Sequence, residues 1–209
     1  MPNPPFVAAL TPSSLKRLMQ SLAVLDAILC PEVHFRYYSF NSRWGPDEMM
    51  GKINNGSGDD LFVFFNSAGC FLKGFAHEYQ HGAPSPEMFY RDVPAEFKQA
   101  AQEAAFSPEY VSYCYWLLND GHGWESSVAQ DAIDADVHFL LEDLVGNPVT
   151  YMKFATDYYG VNLDADPVAS VINQRPVTKA IATALNTDVD YPELMIELDE
   201  IGFPYALEK

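Results

Sequence analysis

The chain has 209 residues, a formal net charge of −17, 48% hydrophobic and 20% charged residues. That is enough chain for one substantial core and too apolar a composition for disorder. The acidic excess repels phosphate backbones and argues against nucleic-acid binding, and no window is apolar enough to span a bilayer, so no membrane association is expected.

Thr11-Pro12 supplies an N-cap followed by proline at the first helical position. Leu15, Leu18, Leu22, Leu25 and Leu29 then recur at three- and four-residue steps, which predicts an amphipathic helix ended by Pro31. Val33 to Phe40 reads as a strand with Phe35 and Tyr37 on one face. Pro46 to Ile53 is ambiguous. Asn54-Asn55-Gly56-Ser57-Gly58 is a strong turn signal.

Leu61 to Phe65 is a near-continuous apolar run, the pattern of a central strand buried on both faces. Asn66 to Gly69 turns the chain and Cys70 to Phe75 returns as its hairpin partner. Pro84 to Pro86 is a loop, a helix is expected from about Pro94 to Ala105, and Val111 to Leu118 is another strand. Asn119 to Gly123 turns again, and Trp124 starts a candidate partner strand.

After Gln130 the pattern becomes helical. Asp136 to Leu144 reads as a helix. Asn147-Pro148, Asp166-Pro167 and Asp190-Tyr191-Pro192 look like helix starts. Tyr151, Phe154 and Tyr158 form one stripe, Val177, Ile181 and Leu185 a second, and Leu194, Leu198 and Ile201 a third, closed by Gly202. The expected fold is α+β, an antiparallel sheet of about four to six strands with an N-terminal helix and a helical C-terminal part. The expected division is a sheet domain over 1–130 and a helical part over 131–209.

Cys30, Cys70 and Cys114 are odd in number, far apart and set in apolar stretches, which fits reduced thiols. The start, Met1-Pro2-Asn3-Pro4-Pro5, lacks the basic residues and apolar run of a secretory signal. A cytoplasmic location is the expectation.

His77-Glu78-Tyr79-Gln80-His81 matches the H-E-x-x-H pattern that binds zinc when both histidines share a helix face. Its context opposes that chemistry. Gly74 and Gly82 flank the motif, Pro84 and Pro86 follow, and neither His122 nor His138 repeats the spacing of a third ligand. A zinc-dependent hydrolase using His77, Glu78 and His81 is the alternative reading. Gly56-Ser57-Gly58-Asp59-Asp60 lacks the Lys-Ser/Thr of a phosphate-binding loop and leads into a strand. No serine has a persuasive His-Asp pair. No catalytic residue, metal ligand or cofactor is therefore assigned.

The candidate binding residues are Asp59 and Asp60, which suit a cation or a basic partner, and Lys73, His77 and Glu78, expected to form a network at the hairpin end. Trp124 joins them as an interface anchor if exposed. Residues 131–209 carry 15 acids against 4 bases, compared with 14 against 8 before them. Among them Asp131, Asp134, Asp136, Glu142 and Asp143 are expected to face a basic partner protein.

The order of motifs resembles a family of bacterial proteins of uncharacterised activity. The matching segments are the Gly56 to Asp60 turn, Lys73-Gly74-Phe75-Ala76-His77-Glu78, Val93-Pro94-Ala95-Glu96-Phe97, the Tyr113 to Trp124 hairpin and Ile201-Gly202-Phe203-Pro204. In that pattern His77 and Glu78 belong and His81 does not. A looser similarity is to SUKH-type toxin-immunity proteins. It implies an acidic, cytosolic, non-catalytic binding protein.

Overall fold

The computed structural model describes residues 9–142, 144 and 146–207. The Met1 to Pro5 stretch and Asp143 lie outside these residues. The fold is α+β, as expected from the sequence. Among the described residues the main sheet has five strands in the order β1(Tyr38–Gly45), β2(Glu48–Asn54), β3(Asp60–Asn66), β4(Gly69–Phe75), β5(Tyr113–Leu118). A helix precedes the sheet and further helices follow it. The chain divides into two compact units, Met1–Leu15 with Arg43–Leu144, and Lys16–Ser42 with Val145–Lys209. The compositional change at residue 130 falls inside the first unit.

The first unit is built on the central hairpin. β3 pairs with β4 from Asp60 opposite Phe75 to Asn66 opposite Gly69, and β4 pairs with β5 from Gly69 opposite Leu118 to Gly74 opposite Tyr113. Side chains alternate faces along a strand. One face therefore presents Phe62, Phe64, Phe71, Cys114 and Trp116, covered by Phe89, Phe97 and Phe106. The opposite face presents Leu61, Val63, Leu72, Tyr113 and Tyr115, all buried. There the Tyr115 hydroxyl lies 2.9 Å from Nε2 of buried His138. Gly74 has no room for a side chain, because a Cβ would fall directly on the Tyr113 ring.

Parts of this unit depart from expectation. The stretch from Pro94 to Ala105 is not one helix but three 3-10 turns, Ala95–Phe97, Ala100–Gln102 and Ala104–Phe106. Glu103 adopts an extended backbone and caps Ala105 N–H. This breaks the helical path and lets Phe106 stack on Phe62, with ring centroids 4.9 Å apart. A short helix that the sequence reading did not anticipate, α2(Pro86–Tyr90), follows the Pro84 to Pro86 loop and buries Phe89. The strand expected from Trp124 reduces to a single bridge between Glu125 and Trp116.

The second unit takes the larger part of α1(Pro12–Leu29) and the C-terminal helices. Ahead of these helices the chain forms the one-turn helix α3(Phe139–Glu142), still in the first unit. Then follow α4(Pro148–Tyr159), α5(Ala165–Ile172), α6(Lys179–Leu185) and α7(Tyr191–Ile201). Asn147 caps α4 by accepting from Val149 N–H, and Asp190 caps α7 by accepting from Glu193 N–H. Asp166-Pro167 lies inside the first turn of α5, whose N-cap is Asp164. Gln20 and Ser21 of α1 donate to the carbonyls of Ile201 and Val171, so buried side chains finish helix ends elsewhere in the unit. Val177–Thr178 and Tyr205–Ala206 add a parallel two-strand pair, β6 and β7.

The strand expected from Val33 begins later. Val33–Phe35 is a 3-10 turn with Val33 and Phe35 exposed, and β1 starts at Tyr38. Phe35 N–H and Arg36 N–H close the turn on Glu32 and Val33. The Tyr37 and Tyr38 amides are taken by the Asp26 carboxylate. Donors used this way are not offered to a neighbouring strand, so the ladder begins no earlier than Tyr38.

Candidate functional site

The turn between β2 and β3 aims Asp59 back at the end of β4. Asn54 and Asn55 accept from Gly56 N–H and Ser57 N–H, each at 2.8 Å, an arrangement asparagine favours in turns. Gly56 and Gly58 adopt positive φ of 73° and 102°. A Cβ on Gly58 would also meet the His77 ring at 3.6 Å. Asp59 then accepts from Asn55 Nδ2 at 2.6 Å and from His77 N–H at 2.8 Å, with His77 Nδ1 also 2.8 Å from Oδ1. Desolvation pushes the Asp59 carboxyl up, but hydrogen bonds from the His77 amide, Asn55 and the His77 ring outweigh it and hold the group below its usual range.

Asp60 points the other way along the strand. Its Oδ1 accepts from Lys73 Nζ at 3.2 Å, and Lys73 also donates to the Phe106 carbonyl at 2.8 Å. The ammonium lies 5.3 Å from the Phe62 ring centroid. Burial pushes Asp60 up against the opposing pull of Lys73, and pushes Lys73 down against the pull of Asp60. In both groups desolvation outweighs the attraction of the pair.

The five hairpin residues are thus neighbours, but they form two separate arrangements rather than one network. Asn55, Asp59 and His77 make the outer one. Asp60, Lys73 and the Phe106 carbonyl make the inner one. Glu78 is exposed, with Oε1 3.9 Å from His77 Nε2. Lys73 is 1% exposed and its ammonium is engaged, so it offers nothing to a partner. Trp124 is also buried, and its Nε1–H donates to the Leu10 carbonyl at 3.1 Å. It holds the Leu10 carbonyl from inside the unit and lacks the exposure an interface anchor needs.

His77–Tyr79 forms a single 3-10 turn, and Gly82 beyond it takes φ of 76°. The motif therefore lacks the two α-helical turns that align the histidines of a zinc site. Among the described residues no group of three His, Cys, Asp or Glu could hold a metal ion.

Ser112 fastens the segment after β4. Its hydroxyl accepts from Ala76 N–H at 2.9 Å and from Gln80 Nε2 at 2.8 Å, while Gln80 also donates to the Ala76 carbonyl. Beside this knot lies a cleft of about 310 Å³ between the Glu78–Pro84 segment and the Ala132–Val137 segment. Ser112, Pro84, Ile133 and Val137 contribute to its walls, and Glu78, Tyr79 and Asp134 bring polar groups. No Lys or Arg lines it. Desolvation pushes the Tyr79 phenol up, and the negative charges of Asp136, Asp134, Glu78 and Asp59 push it further. The cleft therefore sits in an acidic field. Of its residues, sequence reasoning singled out Glu78, Asp134 and the histidine at 81. It missed Ser112 and Tyr79, which become neighbours only through the Gly74 to Ser112 contact at the end of the sheet.

No protein-family model matches the chain, and no curated protein or solved structure matches it.

Proposed function

We propose that the chain is a non-catalytic protein-binding module of the immunity or inhibitor type, acting in the bacterial cytoplasm on a basic partner protein. The observation that carries this reading is the cleft beside the His77–Tyr79 turn. Its lining includes aliphatic side chains, the Tyr79 ring, His81 and the carboxylates of Glu78 and Asp134, with no lysine or arginine. Such a cleft suits the guanidinium of an arginine, which stacks on aromatic faces and pairs with carboxylates. The net charge of −17 adds long-range attraction for a basic protein. No helix among the described residues is long and apolar enough to cross a membrane. The zinc-hydrolase alternative draws no comparable support, because its histidines do not share a helix face.

The test has two arms. A hexa-arginine peptide titrated into the full chain should perturb the amides of Tyr79, Gly82, Ala83 and Asp134 more than those elsewhere. Uniform perturbation, or none, would overturn the assignment to the cleft. A partner co-purified from the native host should associate more slowly as ionic strength rises, and more slowly still with Asp131, Asp134, Asp136 and Glu142 reversed to lysine. An on-rate indifferent to both changes would leave the charge without a role in recognition.

A further inference from the structure

The second unit holds a carboxylate that the reading above does not use. Asp26 lies in the fourth turn of α1, near its C-terminal end, and is fully buried. Its Oδ2 accepts from Tyr37 N–H at 3.0 Å, Tyr38 N–H at 2.8 Å and the Tyr159 hydroxyl at 2.6 Å. Its Oδ1 accepts from the Tyr151 hydroxyl alone, at 2.7 Å. Three segments therefore converge on one side chain: α1, the start of β1 and α4. Among the described residues no cation pairs with it. Arg36 spends its guanidinium on Glu197 at 2.6 Å and on the carbonyls of Cys30 and Pro31. The titratable groups around it are the Cys30 thiol from the end of α1, Tyr37 and Tyr38 from the following segment, and Tyr151, Tyr158 and Tyr159 from α4. Lys153 and Asp157, the charged residues of α4, are exposed.

We infer that Asp26 is a proton-uptake site of the second unit, whose protonation reverses the hydrogen bond to Tyr151 and so links the setting of α4 to the acidity of the surroundings. An isolated buried carboxylate lacks the water that stabilises its charge, and here only neutral donors replace it. The proton, taken from solvent, goes to Oδ1, because Oδ2 already accepts three hydrogen bonds. The new O–H donates to the Tyr151 oxygen, and the Tyr151 hydroxyl, formerly the donor, must turn away. The backbone amides of Tyr37 and Tyr38 keep their acceptor throughout.

Burial raises the carboxyl to about 6, against the lowering effect of hydrogen bonds from Tyr159, the Tyr38 amide, Tyr151 and the Tyr37 amide. A folded-state value above that of the unfolded chain means the folded form binds the proton more tightly. The contribution is complete below the unfolded value near 3.8 and is lost as pH rises through about 6. Mild acidification therefore changes the tyrosine hydrogen bonding without loosening this part of the fold.

The experiment is a pH titration of the full chain, following the Tyr37 and Tyr38 amides and the ring carbons of Tyr151 and Tyr159 by NMR. All four should move together with one midpoint near 6, and Asp26→Asn should abolish the transition. Should that variant fail to fold, Tyr151→Phe serves instead: loss of a donor to the anion should move the midpoint of the Tyr37 and Tyr38 amides upward. A midpoint at or below 4 in the unaltered chain, a transition that survives Asp26→Asn, or a Tyr151→Phe midpoint that fails to rise would overturn the inference.

Discussion

Asp59 and Asp60 are adjacent, yet one carboxylate faces an exposed histidine and the other a buried lysine. The difference follows from strand alternation, which sends the Asp60 side chain to the same face as Phe62 and Lys73. Asp59 stabilises the fold while ionised. Its folded value lies below the unfolded one, so that contribution is present above the usual carboxylate range and is lost as pH falls through the depressed value. Lys73 is a different case, since it satisfies both Asp60 and the Phe106 carbonyl from inside the aromatic core. Lys73→Met keeps much of the volume but strips both acceptors of their donor. It should lower unfolding free energy in urea by about 3 kcal/mol, the scale seen when one partner of a buried pair is removed. Adding Asp60→Asn should recover part of that loss. A single variant as stable as the parent would show that the pair is neutral to the fold.

At the scale of elements, the β3–β4–β5 ladder depends on a backbone approach that only glycine permits. Gly74 lies opposite Tyr113, whose ring occupies the space where a Cβ would project. Tyr113 is itself fully buried, so the ring has little room to retreat. Gly74→Ala should cost about 1–3 kcal/mol, the usual range for overpacking a closed core. Chemical denaturation provides the measurement, and a Tyr113→Leu background should shrink the cost by opening the space. An alanine that costs the same in both backgrounds would place the strain elsewhere. The same contact positions Ser112, which receives the end of β4 and the Gln80 side chain, so the cleft inherits its geometry from the sheet.

For the whole molecule the dominant quantity is charge. With 29 acids against 12 bases the surface repels itself, while pairs such as Arg36 with Glu197 and Lys73 with Asp60 offset part of the repulsion locally. Screening lengths fall from about 30 Å at 0.01 M salt to about 10 Å at 0.1 M. The thermal midpoint should therefore rise as sodium chloride is raised through that interval, as calorimetry would show. A flat or falling midpoint would mean that local pairs, such as Arg36 with Glu197, already offset the repulsion. If the proposed basic partner binds, the same screening should weaken its attraction, so conditions that stabilise the chain should slow that association.

Much of the architecture was legible in local chemistry. The Leu15 to Leu29 stripe, the apolar run at Leu61, the Asn-Gly turn before it, and the capping residues Asn147, Asp190 and Gly202 each report structure within a few residues of themselves. Their signals were read correctly because both partners in each interaction lie close together in the chain. What tertiary structure alone decided was every feature whose partner is remote. The Tyr37 and Tyr38 amides donate to Asp26, an acid that stands alone in the apolar Leu22 to Leu29 stretch. The segment before Phe106 breaks into turns to place that ring on Phe62 and its carbonyl on Lys73. Val177 pairs with Tyr205, a contact no local pattern encodes. The cleft exists only because Ser112 meets Ala76 at the sheet's end. Local propensity sets which elements can form, and the need to satisfy buried donors, acceptors and charges decides where they end and what they touch.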